Sequence, residues 1–277
     1  MTEDVDLTRY TQANREAWNE VMPLHQRAAR ARLDDAFQQP GHLELDPDAL
    51  AALQRAGVQG KAVAHLCCNN GVELLSVRNL GAGRCVGFEI SDLAIEEAQA
   101  RARLCGIHCE YLRTDVYEIG PEYDGLFELV YVSAGALGWM PDLPRFLRRA
   151  AALLRPGGRV VIREIHPVVE MLPYDSLTEL DPLKIREPYF KEDPYIDYGG
   201  LDYVGGTAYD STHPQYWFVH TLGQIVTGLV EAGCAIEWLE EYPRDASGGH
   251  RRQEVSGIAM PLSYVLVAER RGPANSV

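Results

Sequence analysis

The sequence predicts an α/β protein built on a mostly parallel sheet with helices on both faces. Three observations carry this expectation. Between Lys61 and Pro167, short apolar runs alternate with amphipathic helical patterns. The runs are apolar at successive positions, as strands covered on both faces require. Two more strand-like runs follow a late helix, so the reading is of seven strands.

The elements follow in order. Residues 1–35 carry a helical pattern in which Tyr10, Asn14 and Trp18 share one face at i, i+4 and i+8. Beyond a loop at Pro40 and Gly41, "LDPDALAALQRAG" reads as a helix with Asp46 as N-cap, Pro47 at the first position and Gly57 as the stop. "KAVAHLC" is strand one, and "VELLSVRNLGA" is a helix ended by Gly81. "RCVGFEI" is strand two. "SDLAIEEAQARARLCG" is a helix with Ser91 as N-cap, acids early and arginines late, as the helix dipole favours. "CEYLRTD" and "FELVYVSA" are strands three and four. "LPRFLRRAAALL" is a helix closed by "RPGG", and "RVVIREIHP" is strand five. Residues 168–216 then show no clear period and hold Tyr174, Tyr189, Tyr195, Tyr198, Tyr203, Tyr209 and Tyr216. So long a stretch without a pattern is functional or disordered, and its aromatics argue against disorder. "TLGQIVTGLVEAG" is a helix, and "AIEWLEEYP" and "LSYVLVAERR" are the last strands.

Composition excludes some partners. The net charge of −14 repels nucleic acid and anionic membrane surfaces. The acidic start has no apolar h-region and no run of eighteen apolar residues occurs, so neither a signal peptide nor a membrane span is expected. The six cysteines (67, 68, 85, 105, 109 and 234) include no CxxC pair, and no metal site is expected. Buried reduced thiols and a cytoplasmic location fit this pattern.

Ligands of open α/β sheets sit at the carboxyl ends of the strands. Three such ends carry suggestive residues. The first is "AVAHLCCNNGVELLS", a strand, sharp turn and helix start in which only Gly71 remains of the expected glycines. Asn tolerates left-handed backbone angles, so Asn69 and Asn70 can stand in for glycine. The second is Glu89, at the end of strand two and 20 residues after Asn69, placed to accept from ribose hydroxyls. The third is Asp115 in "RTDVYEI", placed to accept from an adenine amino group. Either acid could instead be a helix cap or a solvated loop residue. The missing glycines disfavour a dinucleotide; a ligand without phosphates demands less of the loop.

With these motifs in place, the chain resembles the class I S-adenosylmethionine (SAM) methyltransferases. "AVAHLCCNNGVELLS" matches the first motif, "GFEIS" the second, "RTDVYEI" the adenine motif, and residues 127–167 the stretch through strands four and five. The chain is similar in particular to a bacterial small-molecule branch, through Leu137–Asp142, His166-Pro167 and "HTLGQI" from His220. Three positions depart from the family: its usual first-motif acid stands here as His65, and its first glycines as Cys67 and Asn69. The resemblance implies a Rossmann-like seven-stranded sheet in a single domain. A helical lid would occupy residues 1–57, the cofactor core 61–167, a tyrosine-rich cap insertion 168–216, and the last helix and two strands 217–277. It implies SAM as cofactor, S-adenosylhomocysteine as product, and a cofactor site of His65, Cys67, Asn69, Gly71, Glu89, Ile90, Asp115, Val116, Ser133 and Trp139, closed over by Tyr10 and Asn14.

The cofactor supplies the hard chemistry of methyl transfer; the protein supplies alignment and, where needed, a base. His166 after strand five is the first base candidate. His220, Tyr10 and, more weakly, His25 follow. Each could equally be structural, and Trp139 could wall the reacting centre or pack into the core. The tyrosine-rich insertion suits a small acceptor that is aromatic, lipophilic or cationic, or it could be a contact within a homo-oligomer. A natural-product tailoring enzyme fits best. Two rivals are a non-methylating use of SAM such as cyclisation, and a non-catalytic SAM-binding scaffold.

Overall fold

A computed structural model describes residues 7–175, 181–199, 201 and 210–272. Tyr203 and Tyr209 of the insertion lie outside the described residues.

The helices are α1 (Thr8–Phe37), α2 (Pro47–Arg55), α3 (Val72–Asn79), α4 (Asp92–Cys105), α5 (Leu143–Leu153), α6 (Leu222–Glu231) and α7 (Arg251–Glu254). The strands are β1 (Val63–Leu66), β2 (Cys85–Glu89), β3 (Glu110–Arg113), β4 (Phe127–Val132), β5 (Leu154–Ile165), β6 (Tyr195–Asp197), β7 (Gln215–Trp217), β8 (Cys234–Tyr242) and β9 (Ser263–Arg270). Seven of the strands form one sheet in the order β3-β2-β1-β4-β5-β9-β8. β1 to β5 pair in parallel, while β9 runs antiparallel to both β5 and β8. This is the Rossmann-like fold expected from the sequence.

Apolar layers fill both faces. Leu66, Phe88, Val130 and Ile162 pack with α5 and α6 on one side. Val63, Leu74, Leu129 and Val161 pack with α2, α3 and α4 on the other. The strand order reverses between β1 and β4, so their carboxyl ends flank the switch point at which such sheets bind ligands.

Several local expectations change. β5 begins at Leu154, not at Arg159: Leu154 pairs with Phe127, and a register shift absorbs the "RPGG" turn within the strand, Gly157 taking φ +77°. The insertion after β5 is not without structure. It opens with a 3₁₀ turn at Pro167–Met171 and carries the two-stranded β6–β7 ladder. That ladder is three residues per strand, too short for alternation to register in sequence. The single turn α7 between β8 and β9 is likewise unforeseen. All six cysteines are free; Cys68, Cys85 and Cys234 are buried, and the other three are half-buried.

Buried charges tie the outer helices to the sheet. Arg163, 1% exposed in β5, pairs with Asp46 (3.0 Å) and Asp48 (3.4 Å) at the start of α2. Arg101 of α4, also 1% exposed, reaches Asp34 of α1 (2.8 Å) and donates to the Asn70 carbonyl (2.9 Å). α1 in turn holds the insertion. The Asn14 side chain donates to the Tyr216 carbonyl (3.1 Å) and accepts from its N–H (2.7 Å), and Glu20 accepts from Ser211 and Thr212. Removing one partner of a buried ion pair leaves an uncompensated charge. Asp46 is partly exposed and Asp48 also pairs with Arg244, so Arg163→Met is expected to cost about 2 kcal/mol, the worth of hydrogen bonds to a charged group, measured by chemical denaturation near neutral pH.

Candidate active site

The β1–α3 turn takes the backbone course that a glycine-rich loop would take. Cys67 (φ +57°), Asn69 (φ +45°) and Gly71 (φ +79°) alternate in the left-handed region, and Asn70 does not join them. Cys67 and Asn69 thus hold, at a cost of about 1–2 kcal/mol for a residue with a Cβ, the conformation that glycine would adopt freely. Asn69 eases its own position by accepting from the Asn70 N–H (2.7 Å). Gly71 has no such latitude. A Cβ there would lie 2.7 Å from the Tyr111 ring, whose hydroxyl donates to the Gly71 carbonyl (3.0 Å).

Glu89 closes the site from β2. It is 8% exposed and accepts from the N–H groups of Asn69 (2.9 Å), Ile90 (2.8 Å) and Ser91 (2.9 Å). Burial, against these three donors, holds its carboxyl above the usual range. Asp115 follows β3 and caps the 3₁₀ turn of Val116–Glu118 by accepting from Tyr117 (2.9 Å). Val116 is buried in the core beneath it. The Cys67 thiol is pushed well up by burial and by the charges of Glu89, Asp115 and Glu164. These four residues therefore gather at the carboxyl edge of β1, β2, β3 and β5.

His65 is fully buried beside the Tyr131 ring, 4.7 Å between centroids. Its Nε2 lies 3.1 Å from Ser133 Oγ and 3.7 Å from Glu73, and its Nδ1 is buried without a hydrogen-bond partner. Burial pulls its pKa down to about 3, so the ring is neutral. Trp139 stands edge-to-face between Trp18 of α1 (5.7 Å) and Trp217 of β7 (5.0 Å). Tyr10 packs edge-to-face on Tyr216 (4.9 Å) and Phe218 (5.2 Å). Asn14, Tyr10 and Trp139 therefore join α1 to the β6–β7 ladder at the mouth of the sheet.

The base candidates separate. His166 Nδ1 accepts from the Val168 N–H (3.2 Å), and Nε2 lies 2.9 Å from Glu241. Burial lowers its pKa despite that neighbour. Through Nδ1, His166 caps the turn into Pro167, while Nε2 is buried near Glu241 without a hydrogen bond. His25 contacts the Leu201 carbonyl (2.7 Å) far along α1. His220 is different. Its Nε2 donates to the Met140 carbonyl (2.9 Å), which leaves the lone pair on Nδ1. Burial lowers its pKa, so the ring is neutral.

His220 lines a small open cavity of about 30 Å³, room for about one water, between the end of β5 and the ladder, with Gly138, Glu164, Glu170, Trp217 and Phe218. Sequence reasoning missed both acids. Glu164 accepts from Gly135 (2.5 Å), Leu137 (2.9 Å) and Ile165 (2.7 Å), and burial pushes it up to about 7. Glu170 Oε1 accepts from the Trp217 indole (3.1 Å). Burial, opposed by that donor and aided by the Glu164 charge, pushes Glu170 to about 7. An acid inside the apolar run "RVVIREI" was a usable signal for Glu164; nothing local marked Glu170. Gly138 allows the close approach of Trp217, since a Cβ at 138 would lie 2.3 Å from the indole.

Comparison with known proteins agrees with this geometry. Residues 63–158 match the methyltransferase domain family. The chain is 30% identical over 121 residues to a 2-phytyl-1,4-naphtoquinone methyltransferase of Synechococcus elongatus, covering 42% of this chain and 51% of that protein. It is 27% identical over 130 residues to a 27-O-demethylrifamycin SV methyltransferase of Amycolatopsis mediterranei, covering 46% of each. The chain thus spans about half the length of the curated relatives it matches. An S-adenosylmethionine-dependent methyltransferase structure from Mesorhizobium loti superposes with a TM-score of 0.60 at 25% identity, covering 81% of this chain and 96% of that one. Over residues 63–158 the chain is thus similar to methyltransferase domains.

Two outcomes follow. Gly71→Ala is expected to lower Tm by several degrees, since strain and the Tyr111 clash together cost about 2 kcal/mol or more. Glu170 is protonated more readily folded than unfolded, so its burial costs stability as pH rises from the usual carboxylate range through about 7. Glu170→Gln is therefore expected to melt above the wild type at about pH 8 and level with it near pH 4, followed by differential scanning fluorimetry across pH.

Proposed function

We propose that the chain transfers a methyl group from SAM to a small-molecule acceptor and releases S-adenosylhomocysteine. The observation that carries this reading is the convergence of the left-handed β1–α3 turn on the Glu89 carboxylate, with Asp115 on the neighbouring strand end. The donor set fits an adenosyl group. Residues 62–71 contain no Lys or Arg to meet a phosphate, while two carboxylates offer acceptors to ribose hydroxyls and an adenine amine. His65, where the family has an acid, carries a buried Nδ1 with its hydrogen-bonding capacity unspent.

In this reading the cofactor, when bound, supplies an electrophilic methyl on a sulfonium. Glu89 accepts from the ribose, Ile90 and Val116 flank the adenine, and Asp115 accepts from its amino group. The turn from Cys67 to Gly71, with His65 and Ser133, holds the methionine end. Tyr10, Asn14 and Trp139 close the mouth, so water is excluded from the reacting centre. His220, with its Nδ1 lone pair unspent by Met140, is a better base than His166. A natural-product tailoring role fits the relatives, whose names describe a naphthoquinone and a rifamycin as their acceptors. Among the described residues no helix is long and apolar enough to cross a membrane, and the acidic surface suits neither nucleic acid nor anionic lipid.

The test is a thermal-shift titration with SAM, S-adenosylhomocysteine and NAD. A ligand at a hundred times its Kd stabilises by about 2.7 kcal/mol. Shifts with the two adenosyl compounds and none with NAD are expected, and Glu89→Gln is expected to weaken both by about tenfold or more, the worth of a hydrogen bond to a charged group. No shift with either adenosyl compound would overturn the assignment.

A further inference from the structure

The amino ends of β2 and β3, at the opposite edge of the sheet from Glu89 and Asp115, bring two thiols together. The strands run parallel with Val86 opposite Glu110, so Cys85 and Cys109, one step earlier on each, stand side by side. Both belong to the apolar layer beneath α3 and α4, so they share one face of the sheet. Neighbouring strands lie about 4.8 Å apart, within the Cα separation that a disulfide spans. Cys85 Sγ lies 3.9 Å from the Gly83 carbonyl and Cys109 Sγ 3.9 Å from the Leu74 carbonyl, contacts too long to hold either thiol firmly. The Cys85 thiol is pushed up by the Cys109 thiol against it and by burial, with the Arg78 charge opposing. A cavity of about 320 Å³ opens onto both thiols, and Arg78, Arg84, His108 and Glu110 line it with them. Glu110 is spent on Arg84 through two bonds (2.9 and 3.0 Å), whereas Arg78 pairs with no carboxylate among the described residues. A cation beside a partly accessible thiol is the setting in which cysteines react. The other cysteines lack it: Cys67 and Cys68 stand in the β1–α3 turn, Cys105 faces the Asp34 carbonyl, and Cys234 begins β8 at the far side of the sheet.

We infer that Cys85 and Cys109 are a redox pair, joined into a disulfide across β2 and β3 when a peroxide enters this cavity. Cys109 is half-buried and Cys85 is buried, so Cys109 reacts first. Its thiolate attacks one peroxide oxygen; an S–O bond forms, the O–O bond breaks, and hydroxide leaves and takes up a proton. The Cys85 sulfur then attacks the sulfenic sulfur of Cys109. The S–S bond forms, the S–O bond breaks, and the oxygen departs as water with the Cys85 proton. In sum two thiols lose two electrons and two protons, and one hydrogen peroxide becomes two waters. β3 is the edge strand of the sheet, with β2 its one neighbour. The bridge therefore ties the strand that leads to Asp115 to the strand that ends in Glu89. Nothing in this step requires SAM, so it stands apart from the methyltransferase reading.

The test treats the folded full chain, reduced and then freed of reductant, with a modest excess of hydrogen peroxide. The product is digested with trypsin without reduction and mapped by mass spectrometry. Trypsin leaves Cys105 and Cys109 on one peptide, so fragmentation between them locates the link. The expected product, dominant in the map, joins Cys85 to Cys109, is lighter by two hydrogens than the two thiol peptides, and is separated again by dithiothreitol. Cys85→Ala should leave Cys109 as a sulfenic acid that dimedone labels, and Cys109→Ala should leave Cys85 reduced. Recovery of both residues as free thiols, a link from Cys109 to Cys68 or Cys105 instead, or a Cys85–Cys109 link that forms only in urea would overturn the pair. The map of the unsubstituted chain decides this even where a variant fails to fold.

Discussion

Three N–H groups from two separate turns meet on the carboxylate of Glu89, and the cofactor end of the molecule is arranged around that meeting. One oxygen accepts from Ile90 and Ser91, the residues that lead into α4; the other accepts from Asn69 in the β1–α3 turn. The bond to Asn69 holds the turn against the end of β2. Arg101 secures the same turn from behind by gripping the Asn70 carbonyl while pairing with Asp34 and Glu97. A loop with few glycines has an intrinsic bias away from its left-handed course. Here external hydrogen bonds supply what glycine would have supplied through freedom, and strain of this kind persists only where the surroundings over-determine the backbone.

The same economy of anchors governs the insertion. Its ladder is too short to stand alone, since an isolated pair of short strands is marginal in water. It is held by α1, through the double hydrogen bond of Asn14 to Tyr216 and the contacts of Glu20, and by the Trp18–Trp139–Trp217 row. The N-terminal helix, the 3₁₀ turn at Leu137–Trp139 and the insertion thus form one roof over the carboxyl edge of the sheet. The small cavity lined by Glu164, Glu170 and His220 lies between that roof and the end of β5, and α1 contributes none of its lining.

The fold was legible because its signals are local. Buried parallel strands are apolar at every position, and Asp46, Ser91 and Gly106 mark helix ends by capping chemistry that acts within a few residues. Of the site, the carboxylates at the strand ends were legible because chain direction and strand order fix where an acid at such an end must lie. The roles of Cys67 and Asn69 were half legible: the sequence marked the missing glycines, and only the backbone angles showed that Cys67, and not Asn70, takes glycine's place beside Asn69.

What the sequence determined by itself was the sheet, its helices and the edge on which a nucleoside-like ligand belongs, because periodicity and capping are written over short spans. What only the tertiary structure decided was which polar groups are spent and which are idle. His166 and His220 look alike in sequence; one accepts at Nδ1 from the Val168 N–H, and the other donates from Nε2 to the Met140 carbonyl. Glu164 and Glu170 carry no motif; their character comes from burial, from the donors that reach them and from each other's charge. Desolvation and pairing are properties of an assembled surrounding, drawn from β5, β7 and the turns between them, and no span of chain short enough to show a pattern contains them.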